Sequence, residues 1–327
     1  MNSSTSSFRE TEWKVVAVFA AAFLLLEIVA RILAPTLDYD RVHIHALPRI
    51  VEEMNEGEQP RVVLLGNSLL MHGVDGELLE EEISHAISGP CSVTKITPVG
   101  TAIRDWNYLY DTYFTEKNTH PDVVVVGFVA HHIPDQYELK MRRLARHFCS
   151  FRNLWDCLQQ EGPTFDDKAV GALSHFSALY GDQPEHHWGV NSFTVPEFDR
   201  SVRKINNILD GEAGRKAREN AKPGSSSADA AKTYRKLAHL IETLRKHGVK
   251  AFFVPMPQPE SWNFDPSAAE VIIDNNAILV DGRAIKGMTE ADFSDGYHLG
   301  ETGTKRFTLF LAEALAGELS AGTTPSP

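Results

Sequence analysis

Apolar residues recur along this chain in three rhythms. The first is nearly unbroken. Val15 to Ala34 is apolar throughout except for Glu27 and Arg31. A helix of about twenty residues spans about 30 Å, the thickness of a bilayer core, so this stretch predicts a single membrane-spanning helix. Glu27 and Arg31, spaced i and i+4, can pair and reach toward one interface. Trp13 suits an interfacial position. The rival reading is a cleaved signal peptide, but Ile32-Leu33-Ala34 before Pro35 fits a small-residue cleavage site poorly.

The second rhythm is that of short β-branched runs. Arg61–Leu65, Ser92–Thr97, Asp122–Val129, Val249–Val254 and Ala277–Val280 read as strands. Val123 to Val126 are consecutive valines, as suits the centre of a parallel sheet covered on both faces. The third rhythm is helical. Val74–Ile87 carries Val74, Leu78, Leu79, Ile83 and Ile87 on one face, and Trp106–Glu116 follows as a second helix. Asp229–His247 carries Tyr234, Leu237, Ile241 and Leu244, with Gly248 placed as a C-terminal cap. Thr304–Leu319 closes the pattern through Phe307, Phe310, Leu311 and Leu315. Strands alternating with helices predict a three-layer α/β/α sandwich around a mainly parallel five-stranded sheet.

The organisation expected from these rhythms is a polar tail (1–12), an anchor (13–34), a juxtamembrane linker (35–58), a globular domain (59–319) and a short tail (320–327). The linker carries a short helix over Pro48–Glu56. An insertion occupies about 135–228. Within it Met141–His147 is basic and helical, Glu185–Val195 reads as loop, and the run from Ala221 through Lys-Pro-Gly to three serines reads as a flexible linker.

Composition narrows the function. The 327 residues, 43% of them hydrophobic, suffice for one large domain. A net charge of −12 argues against a nucleic-acid partner. Cys149 and Cys157 are placed to close a small loop in an oxidising compartment, or to remain reduced with Cys91. Without a Cys-x-x-Cys pair a structural zinc site is not expected. The adjacent pairs His131-His132 and His186-His187 form no obvious bidentate ligand, since neighbours on extended chain point to opposite faces. No metal and no cofactor are expected.

Two segments carry the candidate chemistry. Val62-Val63-Leu64-Leu65 runs into Gly66-Asn67-Ser68, a strand ending in a tight turn. Such a turn lifts a serine hydroxyl to the carboxyl edge of a sheet, where open α/β folds place their ligands. Far downstream, Asp295-Gly-Tyr-His298 puts an acid and an imidazole in one loop. The aspartate would orient the histidine and the histidine would take the serine proton. The stretch Gly66-Asn67-Ser68-Leu69-Leu70 lacks the second glycine of a Gly-x-Ser-x-Gly elbow.

Together the two segments resemble the SGNH (GDSL-like) hydrolase family, across roughly residues 60 to 318. The resemblance implies a flavodoxin-like sandwich in which Ser68 is the nucleophile and Asp295 and His298 are the acid and base. It further implies an oxyanion hole built from the Ser68 N–H, a glycine N–H after the second strand, and an asparagine side chain after the third. Gly100, in Pro98-Val99-Gly100-Thr101, matches the glycine. The asparagine is missing: His131 falls at its position, with His132 beside it, and a neutral imidazole can donate. Asn67 stands where an aspartate is common and is expected to shape the turn. Taken with the apolar span, the expected activity is that of a membrane-anchored esterase acting on O-acyl groups, acetyl among them, of a cell-envelope glycan. An O-acyltransferase with the same triad and a non-catalytic glycan- or partner-binding protein are the alternatives. Arg9 and Lys14 before the span are nearly balanced by Arg31 and Arg41 after it. An extracytoplasmic domain is therefore expected by analogy with anchored envelope enzymes.

Overall fold

The computed structural model describes residues 5–34, 39–182 and 232–321. The expected loop with His186 and His187, the linker from Ala221 and the first residues of the helix expected from Asp229 lie outside the described residues. The chain divides into two compact units, Met1–His45 with Lys140–Phe198, and Ala46–Leu139 with Asp199–Pro327.

In chain order the first elements are α1 (Thr5–Leu33), α2 (Tyr39–Glu56), β1 (Arg61–Leu65), α3 (Ser68–Gly73), α4 (Gly76–Ile87) and β2 (Ser92–Ile96). Next come α5 (Ile103–Tyr110, widening into a π-helical turn over Asp111–Thr115), β3 (Val123–Phe128), and α6 (Met141–Arg143, widening over Leu144–Phe148). Then follow α7 (Leu154–Glu161), α8 (Phe165–Phe176), α9 (Ala178–Gly181), α10 (Arg235–Lys246), β4 (Lys250–Pro255), α11 (Pro266–Asp274), β5 (Ile278–Leu279) and α12 (Glu301–Ala321).

The second unit is the α/β sandwich expected from the alternation. Its five strands are all parallel, in the order β2-β1-β3-β4-β5. Period-two alternation sends Val62, Leu64, Val123, Val125, Phe252 and Val254 into one cluster with Leu79 and Ile83 of α4 and Phe307, Leu311 and Leu315 of α12. Val63, Leu65, Val124, Val126 and Phe253 on the opposite face are equally buried. On the other side α10 packs against α5, α11 and β4. A fully buried side chain of this size contributes about 1.5–3 kcal/mol, so the valine run makes β3 the spine of the sheet.

From β1 the chain steps outward to β2, then returns to β3 on the other flank of β1. That reversal opens a crevice at the carboxyl ends of β1 and β3, where sheets of this kind bind ligands.

Two expectations need correction, and one open alternative is decided. The helix expected from Asp229 begins at Arg235, because Asp135 supplies its N-terminal partners from a distant segment. Its carboxylate accepts from the Arg235 and Lys236 N–H groups at 3.1 and 2.9 Å. The short helix expected from Pro48 begins at Tyr39: Ile44, Leu47, Val51 and Met54 form a buried stripe that carries the helix through Pro48. Cys149 and Cys157 are both buried and form no disulfide.

The first unit is helical. Its buried polar node joins Arg41, Arg146, His147 and Asp182. Arg41 lies 2.7 Å, Arg146 3.3 Å and His147 3.0 Å from the Asp182 carboxylate. Burial pushes that carboxyl up, but the His147 hydrogen bond and the two arginines overcome burial and hold it at about 2. α1 is one helix long and apolar enough to cross a membrane over Glu12–Leu33.

Candidate active site

The turn after β1 is built by Asn67. Its backbone is extended, and its side-chain oxygen caps α3 by accepting from the Leu69 N–H at 3.0 Å. The amide end is fixed as well, donating to the Thr101 carbonyl at 3.0 Å. Both ends being committed, the amide cannot flip. Its remaining hydrogen points at the His132 ring, 3.2–3.3 Å away. Beneath the turn, Thr101 Oγ1 lies 2.9 and 2.8 Å from the Gly66 and Pro98 carbonyl oxygens, which share its one hydrogen. Trp106 Nε1 donates to Gly66 O and Thr101 Oγ1 at 3.2 and 3.0 Å. Asn67, Thr101, Trp106 and His132 are all buried. A buried hydrogen-bond network of this kind holds a turn in one conformation. At its other end α3 is steadied by the Lys95 ammonium, which donates to the Met71 and Val74 carbonyls.

Ser68, the first residue of α3, is half-buried just past the carboxyl end of β1. Its Oγ lies 3.0 Å from His298 Nε2. His298 Nδ1 lies 2.7 Å from Asp295 Oδ2. The other carboxylate oxygen accepts from the Tyr297 and His298 N–H groups at 2.9 and 2.7 Å. Gly296 takes a left-handed φ of 78°, which lets the loop fold back on its own carboxylate. Burial pushes the Asp295 carboxyl up, but hydrogen bonds from the His298 backbone and ring, and from Tyr297 N–H, outweigh it and hold the group below its ordinary range. Asp295 therefore stays ionised and accepts from Nδ1–H, which leaves Nε2 as the acceptor facing the serine hydroxyl.

The loop is tied to the core on both sides. Phe293 and Leu299 pair across an antiparallel bridge and are both buried. Ser294 N–H donates to His298 O at 2.9 Å, and Gly300 N–H to Asp292 O at 2.7 Å. The site thus joins residues 230 positions apart in sequence through one sheet edge.

Gly100 lies in the turn after β2 with φ 64°, a left-handed conformation that favours glycine. Among the described residues, no hydrogen bond engages its N–H. Ser68, as the first residue of α3, has an N–H without an intrahelical partner. The two histidines after β3 differ. His131 is exposed. His132 is buried, with Nδ1 accepting from the Val129 N–H at 3.2 Å. Burial pushes the His132 ring pKa well down, with the neighbouring His131 adding to it. It is a neutral acceptor behind Asn67, and its ring is not turned toward the Ser68 hydroxyl by any hydrogen bond.

Sequence reasoning missed His72, Thr101 and Trp106. His72 lies 5.2 Å, ring to ring, from His298. Its signal was present: it is four residues from Ser68, one helical turn on the same face. Thr101 and Trp106 carried none, since the contact they share is the Gly66 carbonyl, brought in by the fold.

No protein-family model and no curated protein matches the sequence. Among solved structures the chain is similar to a lipase/acylhydrolase from Enterococcus faecalis, at 11% identity and a TM-score of 0.39, covering 79% of this chain and 95% of that one. It is likewise similar to an acetylxylan esterase from Geobacillus stearothermophilus (12%, TM-score 0.39, 80% and 95% covered). A third is an alpha/beta hydrolase enzyme from the metagenome of Lake Arreo, Spain (11%, TM-score 0.40, 82% and 99% covered). With TM-scores below 0.5 these likenesses carry no weight for function, which rests on the site's own geometry.

Proposed function

We propose that the chain is a membrane-anchored serine esterase of SGNH type. The observation that carries this reading is the continuous path from Ser68 Oγ to His298 Nε2 at 3.0 Å and from His298 Nδ1 to Asp295 Oδ2 at 2.7 Å, set at the carboxyl edge of the sheet. In this mechanism Ser68 Oγ attacks an ester carbonyl while His298 Nε2 takes its proton. The tetrahedral oxyanion is met by the Ser68 and Gly100 N–H groups, with His131 as the side-chain donor in place of the family's asparagine. His298 then gives its proton to the leaving alkoxide. Water, activated by the same imidazole, releases the acid from acyl-Ser68.

The substrate class is an O-acyl ester, with O-acetyl groups on an envelope glycan the preferred case. An acyl-Ser68 attacked by a sugar hydroxyl instead of water would make the same machinery a transferase. One experiment tests both. Full-length protein is given an O-acetylated polysaccharide, with and without an excess of unacetylated oligosaccharide, and free acetate and acetylated oligosaccharide are quantified. Acetate released by the wild type and not by Ser68→Ala supports the esterase. Acetylated oligosaccharide at the expense of acetate selects the transferase. Neither product from any ester tried rejects the enzymatic reading.

A further inference from the structure

The first unit carries exposed large apolar side chains beyond those of α1. Phe151, Trp155, Phe165, Leu173 and Phe176 are 55–83% exposed. They are not scattered. At about 100° per residue, Phe165, Ala169, Ala172 and Phe176 fall within about 40° of one line along α8, with Leu173 beside it. Gly171 and Ser174 on the same helix are buried on the inner side. The Phe151 ring lies 6.3 Å from that of Phe176 and extends the stripe toward α7, which carries Trp155. A contiguous apolar patch of this kind marks a contact surface.

The contacts of α1 set the depth of that patch. The Glu27 carboxylate accepts from Ser177 Oγ at 2.9 Å, Ala178 N–H at 2.5 Å and Leu179 N–H at 3.2 Å. Arg31 pairs with Glu27 at 3.0 Å and donates to the Phe176 carbonyl at 2.6 Å. The charged pair that interrupts the apolar span is therefore neutralised by the start of α9 and the end of α8. The span ends at Leu33. Glu27 is six residues before that end, about 9 Å along a helix rising 1.5 Å per residue. Helices lying in a membrane interface sit about 5–10 Å into the headgroup and acyl boundary. If α1 crosses the bilayer, the last turn of α8 lies at that depth. Phe23, Leu24 and Ile28 of α1 and Ala172, Leu173 and Phe176 of α8 line an open groove of about 540 Å³ beside Glu27 and Arg31.

We infer that α7 and α8 form an in-plane pad seated in the membrane interface beside α1, with bilayer lipid as the occupant of the groove and of the exposed stripe. The inference rests on reading α1 as a span. The pad holds the first unit at a fixed depth and rotation, a restraint that a lone helix followed by flexible chain would not provide.

Spin labels on the full chain in phosphatidylcholine/phosphatidylglycerol vesicles test it. The native cysteines are buried, at 0–5% exposure, so introduced cysteines take the label. Leu173→Cys, Phe165→Cys and Trp155→Cys probe the pad, Leu24→Cys probes the span, and Glu77→Cys is an exposed reference on α4. Relaxation by oxygen is expected to exceed relaxation by a polar nickel chelate at positions 24, 155, 165 and 173, and the reverse at 77. Nickel dominance at 155, 165 and 173 with oxygen dominance at 24 would leave the span standing and overturn the pad. Nickel dominance at 24 as well would overturn the span and the pad with it. Shielding of 173 from both agents, with dipolar broadening, would mean that a second copy covers the face, and would also overturn the inference.

Discussion

Replacing Asp295 by asparagine is a sharp perturbation because the loop leaves the new amide no freedom. In the wild type one carboxylate oxygen accepts from the Tyr297 and His298 N–H groups at 2.9 and 2.7 Å, and the other faces His298 Nδ1 at 2.7 Å. An asparagine must turn its oxygen to the two backbone donors. Its NH2 group then faces Nδ1, which can accept only by giving up its proton to the other nitrogen. Nε2 now carries hydrogen and cannot accept from Ser68. The same tautomer inversion in a serine protease costs about 10⁴-fold in turnover, equivalent to about 5.4 kcal/mol of barrier at 1.36 kcal/mol per tenfold. Asp295→Asn is therefore expected to fall by about 10³–10⁴-fold in the acetate-release assay while its melting temperature stays near wild type. Asp295→Ala, which imposes no wrong tautomer, should lose less than Asp295→Asn. A loss below tenfold for Asp295→Asn, or a larger loss for the alanine than for the asparagine, would refute the tautomer reasoning.

Three further outcomes follow from the same geometry. Asn67→Asp would set a second carboxylate oxygen against the Thr101 carbonyl, 3.0 Å away, so His132 is expected to take up a proton to pair with it. NMR titration of the ring should show its pKa moving upward, and an unchanged ring would refute the proposed network. Gly303→Ala would bring a Cβ to 2.5 Å from the Asp292 carbonyl and 2.8 Å from Leu299, shifting the base of the Asp295–His298 loop. A loss of about 1–3 kcal/mol in stability, with turnover falling alongside, is expected in denaturant melts and esterase assays; wild-type values for both would contradict it. Burial lowers the ring pKa of His43, His120, His132 and His147, the last to about 3. Each folded pKa lies below its unfolded value, so at intermediate pH the unfolded chain binds protons that the folded chain refuses. Stability should therefore fall as pH drops from about 6.5, and a melting temperature that holds or rises between pH 7.5 and 5 would contradict this.

The sheet was legible because its signal is local. A buried parallel strand needs an apolar run, and Val123–Val126 admits little else. The proposed Ser68–His298–Asp295 relay was suggested for a different reason: strand-turn-serine and Asp-x-x-His are compact segments whose internal geometry needs no partner. What escaped the sequence depends on contacts between distant segments. The start of α10 is set by Asp135, a hundred residues earlier, and no helical rhythm announces that. Thr101 and Trp106 bond to the Gly66 carbonyl, so their role exists only once β1 and β2 lie side by side. α7 and α8 were hidden because Phe151, Trp155, Phe165 and Phe176 face outward, against the apolar-inside pattern on which helix reading relies.

The most direct test of the esterase reading is the intact mass of the protein after treatment with a fluorophosphonate, followed by peptide mapping. A single adduct on Ser68 is expected in the wild type. Ser68→Ala should take up none, and His298→Ala should label at least a hundredfold more slowly. An adduct on another residue, equal labelling of Ser68→Ala, or an undiminished rate in His298→Ala would contradict a Ser68 nucleophile activated by His298.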